Sequence, residues 1–235
     1  TLFRRVGGVD LLFLKYMVDD DDLYLRVKLS GARIGQVRDA CVYHFGSRST
    51  KYRDDVVATT PPADWSDQYA RSQRNFVRKW GMLSTRCWTP EMGLLPPKKY
   101  DIGLVAQGAA LEHVSALEPF CSNLYLDDAR LRKAYLASEQ SRTLLDLRER
   151  VRLLERGRPE NEIVAILDMK RFDEHAFALV QGLPDMLERV DGPGVYDLDQ
   201  RIALTVRNLH THERELIVNT RCFAYGPGMA ERDFR

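Results

Sequence analysis

Residues 100–126 read YDIGLVAQGAALEHVSALEPFCSNLYL. The apolar run from Tyr100 to Ala106 predicts a buried strand, the stretch from Ala109 to Phe120 predicts a helix, and Asn123 to Leu126 predicts a second strand. A strand, a helix and another strand in succession are typical of α/β layer folds, in which helices cover a largely parallel sheet. The sequence therefore predicts an α/β fold for this part of the chain.

The alternation of strands and helices continues downstream. The elements predicted after residue 126 are a long charged helix over 128–156, a strand over 162–169, a helix over 172–190 and strands over 195–198 and 202–209. Pro184 lies inside the last predicted helix and indicates a kink there. Asp127, Asp128 and Asp168 fall at strand ends, but no glycine-rich phosphate loop accompanies them, so we interpret them as surface residues and helix caps.

Upstream of residue 100 the pattern is interrupted by Pro90, Pro96 and Pro97, which predict a linker. The predicted parts are a first domain over residues 1–85, a linker over 86–99, a second small α/β domain over 100–225 and a tail over 226–235. The chain opens on TLFRRVGGVD, which resembles the interior of a domain. We therefore expect the first domain to continue a longer one.

The composition excludes several classes of protein. The formal net charge is +1, so no strong positive field draws the chain to nucleic acid. The four cysteines form no CxxC pair, which favours free thiols in a reducing compartment and predicts a cytoplasmic location. The sequence contains neither an apolar run of about 20 residues, which a transmembrane helix needs, nor a charged-then-apolar leader.

Four short segments in the first 81 residues carry the strongest functional signal. They are Gly7-Gly8-x-Asp10, Asp19-Asp20-x-Asp22-Leu23 with Arg26, Val42-x-His44-x-Gly46-Ser47, and Arg74-Asn75-x-x-Arg78-Lys79-Trp80-Gly81. In order and spacing they resemble the C-terminal half of inverting glycosyltransferases of family 2, which have the Rossmann-like GT-A fold. The resemblance covers roughly the first third of the chain. It implies a partial GT-A-like catalytic domain followed by the second α/β domain.

The resemblance implies catalytic roles for the acidic helix. Asp20 matches the position of the base that removes the proton of the acceptor hydroxyl, and Asp19 matches the glutamate that precedes it. Neighbouring carboxylates raise the pKa of such a base and so its basicity. Because Asp19 is shorter than the family's glutamate, it stays open which of the two faces the acceptor. Asp22 and Arg26 are four residues apart and predict an ion pair within the helix.

Other matched residues concern the donor, its metal ion and the acceptor. His44 matches a histidine that completes the coordination of a divalent metal ion, Mn²⁺ or Mg²⁺. Ser47 and Arg48 follow on a loop that suits contact with the donor diphosphate. The further candidate contacts to donor or acceptor are Gly8, Asp10 and Arg78.

The implied reaction is inverting transfer of a sugar from a nucleotide-sugar donor to a glycan or other hydroxyl acceptor. Such transfer needs a base for the acceptor and a cation for the leaving diphosphate. The family's nucleotide-binding strands and its DxD metal motif are expected upstream of Thr1, so we expect this chain alone to bind the donor poorly. Whether the protein forms an oligomer stays open.

Two other functions stay open. One is a non-catalytic interaction or structural protein that retains a glycosyltransferase-like remnant, and the missing donor-binding half supports it. The other is metal-dependent phosphoryl transfer at the aspartate run, which would need a phosphate loop that the sequence lacks. The histidines of the second domain show no shared metal spacing, so the sequence predicts no metal site there; they are His113, His175, His210 and His212.

Overall fold

The computed structural model describes residues 1–13, 17–35, 39 and 63–220. Its helices are α1 (Leu2–Arg5), α2 (Asp19–Leu29), α3 (Ala63–Trp80), α4 (Leu111–Leu117), α5 (Ala129–Glu139), α6 (Leu147–Arg150) and α7 (Glu174–Leu187). Its strands are β1 (Trp88–Thr89), β2 (Gly93–Leu94), β3 (Ile102–Val105), β4 (Asn123–Leu126), β5 (Val151–Leu153), β6 (Ile163–Leu167), β7 (Gly194–Leu198) and β8 (Ile202–Val206). Short 3₁₀ turns cover Leu11–Phe13, Ser84–Cys87, Glu118–Phe120, Gln140–Arg142, Leu154–Arg156 and Glu213–Leu216.

Six strands form one sheet in the order β5-β4-β3-β6-β8-β7. The first four are parallel, with Leu104 of β3 paired to Leu124 of β4 on one side and to Ala165 of β6 on the other. Strand β8 runs antiparallel to both β6 and β7. Numbered by their order in the chain, the parallel strands lie 3-2-1-4, the order of the first four strands in a classic doubly wound sheet. The predicted α/β fold is thus confirmed.

The main core lies on one face of this sheet. Alternate strand residues such as Leu104 and Ile163 meet Leu117 of α4 and Leu183 of α7, and all four are fully buried. Each such side chain contributes about 2 kcal/mol when it leaves water. A smaller cluster of Val105, Tyr125 and Val164 occupies the opposite face. The sheet therefore supplies a rigid apolar platform to which the helices before residue 81 can attach.

Asn161 ties the crossover from β5 to β6 onto this sheet. Its Oδ1 accepts from the Tyr125 hydroxyl at 2.8 Å, and its Nδ2 donates to Asp101 Oδ1 at 2.7 Å and to Asn123 Oδ1 at 2.9 Å. A Cβ at Gly103 would lie 2.4 Å from Asn161 Oδ1, closer than non-bonded atoms approach. Residue 103 must therefore be glycine for the crossover to pass so near the strand.

Most of the predicted elements of the α/β part are present, but the long helix over 128–156 is wrong. Helix α5 ends at Glu139, Asp146 then caps the short helix α6 through its bond from the Arg148 N–H, and Val151 begins β5. Val151 is paired in parallel with Leu124, so it is needed as a strand residue. A strand of three residues is too short to interrupt a helical spacing of apolar residues, which explains the error.

The regular elements described before Trp88 are helical. Helices α2 and α3 pack through Leu25, Phe76 and Trp80, with Phe13 against Phe76 at a ring-centroid distance of 6.3 Å. The predicted linker contains the small hairpin β1–β2, in which Trp88 pairs with Leu94. Of the helices in the described parts of the chain, none has the length and apolar character needed to cross a membrane.

Candidate functional site

The acidic helix predicted from the aspartate run is present as α2. Asp19 to Asp22 form its first turn, where carboxylates are favoured by the positive end of the helix dipole and by free backbone N–H groups. Val18 precedes the helix with φ 59°, an uncommon conformation for a β-branched residue. The Oδ1 of Asp20 accepts from the Asp21 N–H at 3.0 Å. The four aspartates therefore belong to one helical turn, but their side chains lie in different surroundings.

Asp22 is the centre of a buried ionic cluster, here called the Asp22 network, made up of Asp10, Asp22, Arg26, Lys79 and Trp80. The Oδ2 of Asp22 accepts from Arg26 Nε at 2.8 Å, so the predicted i,i+4 ion pair is confirmed. Its Oδ1 accepts from Trp80 Nε1 at 2.9 Å and lies 2.5 Å from Lys79 Nζ. Lys79 also pairs with Asp10 Oδ2 at 2.9 Å. Asp22 is completely buried, and both of its carboxylate oxygens have partners within the protein.

The same network fixes the glycine turn that the sequence marks as an acceptor element. Arg26 donates through Nη2 to the Gly8 carbonyl at 2.5 Å and through Nη1 to the Val6 carbonyl. Gly8 and Asp10 are buried, and Asp10 Oδ1 also accepts from the Leu12 N–H at 3.0 Å. The polar groups of Gly8 and Asp10 are thus used to join the turn to α2 and α3.

Arg78 belongs to a second buried cluster, here called the Glu118 network, which joins α3 to the α/β part; its members are Arg74, Arg78, Glu118, Tyr135, Glu139 and Arg150. Arg78 Nη2 lies 2.8 Å from Glu118 Oε2 and 2.8 Å from Glu139 Oε1, and its side chain is fully buried. Arg150 Nε reaches the other oxygen of Glu118 at 2.7 Å. Arg78 therefore contacts groups of its own chain, in an interface between two parts of the molecule.

The charges in the Glu118 network shift each other's titration. Burial alone would raise the pKa of Glu118, but the positive charges of Arg150 and Arg78 and their hydrogen bonds outweigh it and hold the pKa at about 2. Burial alone would lower the pKa of Arg78, but the charge of Glu118 and its hydrogen bond outweigh burial, so the pKa of Arg78 is raised. Burial and the Glu118 charge both raise the pKa of the Tyr135 hydroxyl. Glu118 and Arg78 are therefore ionised at neutral pH, and Tyr135 is a neutral donor to Glu118.

Asp21 faces an open cavity beside α2. The cavity has a volume of about 400 Å³, and its lining residues are Asp21, Tyr24, Ser84, Thr85, Trp88, Gly93 and Leu94. Burial and the charge of Asp20 raise the pKa of Asp21, while a side-chain hydrogen bond with Ser84 lowers it, leaving a net rise. Trp88 is 57% exposed at the rim. The cavity thus combines a carboxylate of increased basicity with three hydroxyl groups, one of them on Tyr24, and two aromatic rings.

Gly93 lets the hairpin approach α2 at this cavity. Its φ is +66°, and a Cβ there would lie 3.2 Å from the Tyr24 hydroxyl oxygen. Lys28 of α2 donates to the carbonyls of Met92 and Leu94 at 3.1 and 2.9 Å, which holds the hairpin against the helix. The hairpin is therefore a fixed wall of the cavity, on residues that the sequence indicated only as a linker.

The residues predicted for the site are only partly brought together. Asp20 is exposed, Asp19 is partly buried, and the carboxylate that lines the cavity belongs to Asp21. His44, Ser47 and Arg48 lie outside the described residues. The sequence missed Asp21, Tyr24 and Trp88 as site residues; the acidic run was the available signal for Asp21. Trp88 gave none, because its place at the cavity depends on the hairpin.

Of the strand-end aspartates, Asp128 caps a helix, as the sequence indicated, whereas Asp127 bonds to the backbone of a loop. Asp127 accepts from the Gly108 N–H with both oxygens at 3.1 Å, and Asp128 accepts from the N–H groups of Arg130 and Leu131 at the start of α5. A separate cavity of about 280 Å³ near β5 is lined by Arg132, Arg148, Arg152 and Arg158 with Glu149 and Glu160. This second cavity is far along the chain from the acidic helix and contains none of its aspartates.

No family model, curated protein or solved structure matches the chain.

Proposed function

We propose that the chain carries the acceptor side of an inverting glycosyltransferase site, which moves a sugar from a nucleotide-sugar donor to a glycan or other hydroxyl acceptor. The observation that carries the proposal is the position of Asp21, a carboxylate with a raised pKa in a cavity with Tyr24 and Trp88. A partial GT-A-like architecture for residues 1–85 is part of the same proposal. Its support is the order of the four motifs in the first 81 residues.

The cavity suits a sugar acceptor chemically. Sugars present apolar C–H faces that pack on aromatic rings, and hydroxyl groups that exchange hydrogen bonds with carboxylate and hydroxyl side chains. Ser84 and Thr85 supply the hydroxyl groups, and Asp21 supplies the carboxylate. Transfer with inversion requires that the acceptor hydroxyl lose its proton as it attacks, and a base positioned for this contributes about 10²–10⁴-fold in rate.

We assign the role of base to Asp21, although the motif alignment places it at Asp20. Asp21 is partly buried at the cavity, whereas Asp20 is exposed and accepts from the backbone of its neighbour. The charge of Asp20 raises the pKa of Asp21 and thereby makes Asp21 a stronger base. Asp20 would then act through Asp21. The donor contacts of Ser47 and Arg48, and a divalent metal ion at His44, stay predictions from the sequence.

The test is a transfer assay on the full-length protein, because the donor-binding strands are expected upstream of Thr1 and this chain alone is expected to bind the donor poorly. Nucleotide release from a panel of nucleotide-sugar donors is measured with Mn²⁺, with and without glycan acceptors. Asp21→Asn is expected to lower acceptor-dependent turnover by about 10²–10⁴-fold, while Asp20→Asn retains most of it. Asp191→Asn, the same change at an exposed aspartate before β7, serves as the matched control. Turnover of Asp21→Asn close to that of the wild type would remove Asp21 as the base.

A second candidate function is a non-catalytic saccharide-binding or interaction module. It is favoured by the use of Asp10, Asp22 and Arg78 in internal ion pairs, because these motif residues then serve the fold. Saccharide titrations followed by tryptophan fluorescence separate the two candidates. Binding that is lost in Trp88→Ala, without release of any nucleotide in the assay above, supports the module. Acceptor-dependent nucleotide release supports the enzyme.

A further inference from the structure

Two histidines and a glutamate come together on the segment that follows β8. His210, His212 and Glu215 each offer one ligand atom, and these atoms lie within 4.8 Å of one another. The backbone N–H of His212 donates to the Lys99 carbonyl at 2.7 Å, which anchors the segment. The 3₁₀ turn over Glu213–Leu216 then brings Glu215 back beside the two histidines. The spacing His-x-His-x-x-Glu thus becomes a cluster because the chain turns at residue 213.

The ring of His212 is held from both sides. Its Nδ1 lies 2.8 Å from Glu215 Oε1, and its Nε2 lies 3.1 Å from Glu162 Oε2. Glu162 is itself oriented, since its Oε1 accepts from Asn208 Nδ2 at 3.0 Å. A carboxylate on the far nitrogen is the usual companion of a metal-binding histidine, because it fixes the tautomer and the ring orientation. The arrangement leaves Nδ1 of His212 on the side of Glu215.

We propose that His210, His212 through Nδ1, and Glu215 bind one divalent transition-metal ion of the zinc class, with Glu162 accepting the Nε2–H of His212. Two imidazoles and one carboxylate are ligands that Zn²⁺ accepts, whereas Mg²⁺ and Ca²⁺ prefer sites made of oxygen atoms. Bonds of about 2.1 Å place the ligand atoms of a tetrahedral site roughly 3.4 Å apart. His210 and Glu215 are exposed, so their side chains can rotate to close the remaining distance.

The ion would bind within one segment of the chain that is hydrogen-bonded to two others. Glu162 directly precedes β6, Lys99 precedes β3, and the segment with the ligands lies between β8 and Asn219. Asn219 in turn bonds to the turn at Gly7, through its Nδ2 to the Gly7 carbonyl at 3.2 Å. Three protein ligands leave a position for water, and the exposure of Glu215 gives water access. The site is independent of the proposed sugar transfer.

Metal titration of the full chain tests the proposal. After treatment with a chelator, the wild type is expected to bind one Zn²⁺ per chain by calorimetry, and Co²⁺ is expected to give the visible absorption bands of a site with nitrogen and oxygen ligands. His210→Ala and Glu215→Gln are each expected to weaken Zn²⁺ binding at least tenfold, roughly the loss that even a supporting residue causes. His175→Ala is the matched control, because His175 is an exposed histidine paired with Asp199, outside the cluster.

Thermal unfolding provides the check on folding. Both ligands are exposed, so without metal the variants should unfold at the temperature of the wild type, and Zn²⁺ should raise that temperature for the wild type and for His175→Ala alone. The proposal is overturned if the wild type binds no ion at micromolar Zn²⁺. It is also overturned if His210→Ala and Glu215→Gln bind Zn²⁺ as tightly as the control, or if Mg²⁺ competes equally.

Discussion

The helices before residue 81 and the six-stranded sheet bury different kinds of side chain. In the sheet, Leu104, Leu124 and Ile163 are completely buried among other apolar residues. Between α2 and α3, the completely buried side chains include Asp22 and Arg26, which face each other at 2.8 Å. The sheet is therefore stabilised mainly by apolar burial, whereas the helical region depends on charges that must stay matched.

This difference explains why the motif residues divide as they do. A buried ion pair adds little net stability, but the loss of one partner is costly because the other charge stays buried without compensation. Asp10, Asp22 and Arg78 are held in such pairs, while Asp21, which directly precedes Asp22 in the acidic turn, faces a cavity. A run of similar carboxylates can thus supply both a scaffold and a reactive group.

Glu118→Gln is expected to have the largest effect on stability. Glu118 is completely buried and faces Arg78 at 2.8 Å and Arg150 at 2.7 Å, so removal of its charge leaves two buried guanidinium groups undercompensated. The free energy of unfolding should fall by about 3–5 kcal/mol in urea titrations. Glu160→Gln, at an exposed glutamate, should change it by less than about 0.5 kcal/mol. Equal effects of the two changes would mean that the buried charge of Glu118 is not needed to balance Arg78 and Arg150.

Leu104→Ala probes the apolar region in the same way. Leu104 is completely buried at the centre of the sheet, so its truncation leaves a cavity and should cost about 3 kcal/mol. Because no titrating group is involved, the loss should be the same at pH 7 and near pH 4. A loss that changed with pH would show that the sheet core is coupled to the ionic networks.

Lowering the pH should reduce the stability of the wild-type fold, because Glu118 becomes protonated. Its pKa is about 2 in the folded protein against an ordinary value of 4.5, so its charge stabilises the fold above pH 4.5 and this contribution is lost as the pH falls toward 2. Between pH 4.5 and roughly pH 3 the loss should be about 2 kcal/mol. The wild type and Glu118→Gln are compared across this range, since the other carboxylates titrate in both. A constant difference between them would be the contrary result.

Much of the sheet could be predicted from the sequence, because each long strand carries its own local signal. Ile102–Val105 and Ile163–Leu167 are apolar runs flanked by polar residues, and Pro184 lies inside α7 as expected. Strand β5 could not be found, because its three residues are defined by pairing with β4. The sequence pattern records local spacing, and pairing between distant strands is absent from it.

The site was less accessible to prediction for the same reason. The partners of Arg78 lie 40 and 61 positions further along the chain, at Glu118 and Glu139, and nothing in the local spacing indicates them. The pair Asp22–Arg26 was predictable, since four residues bring two side chains to one face of a helix. The cavity at Asp21 needs a hairpin that comes more than sixty residues later. Which aspartate faces it is therefore a tertiary property.

Asp20→Asn is expected to have the smallest effect and to show how the acidic turn divides its roles. The asparagine keeps an Oδ1 that can accept from the Asp21 N–H, so the helix start should be preserved and the change should remove only a charge. Burial and the charge of Asp20 raise the pKa of Asp21, so this pKa should fall in the variant, although it should stay raised by burial. Carboxyl ¹³C shifts of Asp21 followed against pH measure the change, with Asp191→Asn as the control.

In the transfer assay, the acid limb of the pH profile should move to lower pH by the same amount. An unchanged Asp21 titration would mean that the two carboxylates do not interact, and Asp20 would then have no part in setting the basicity of the cavity.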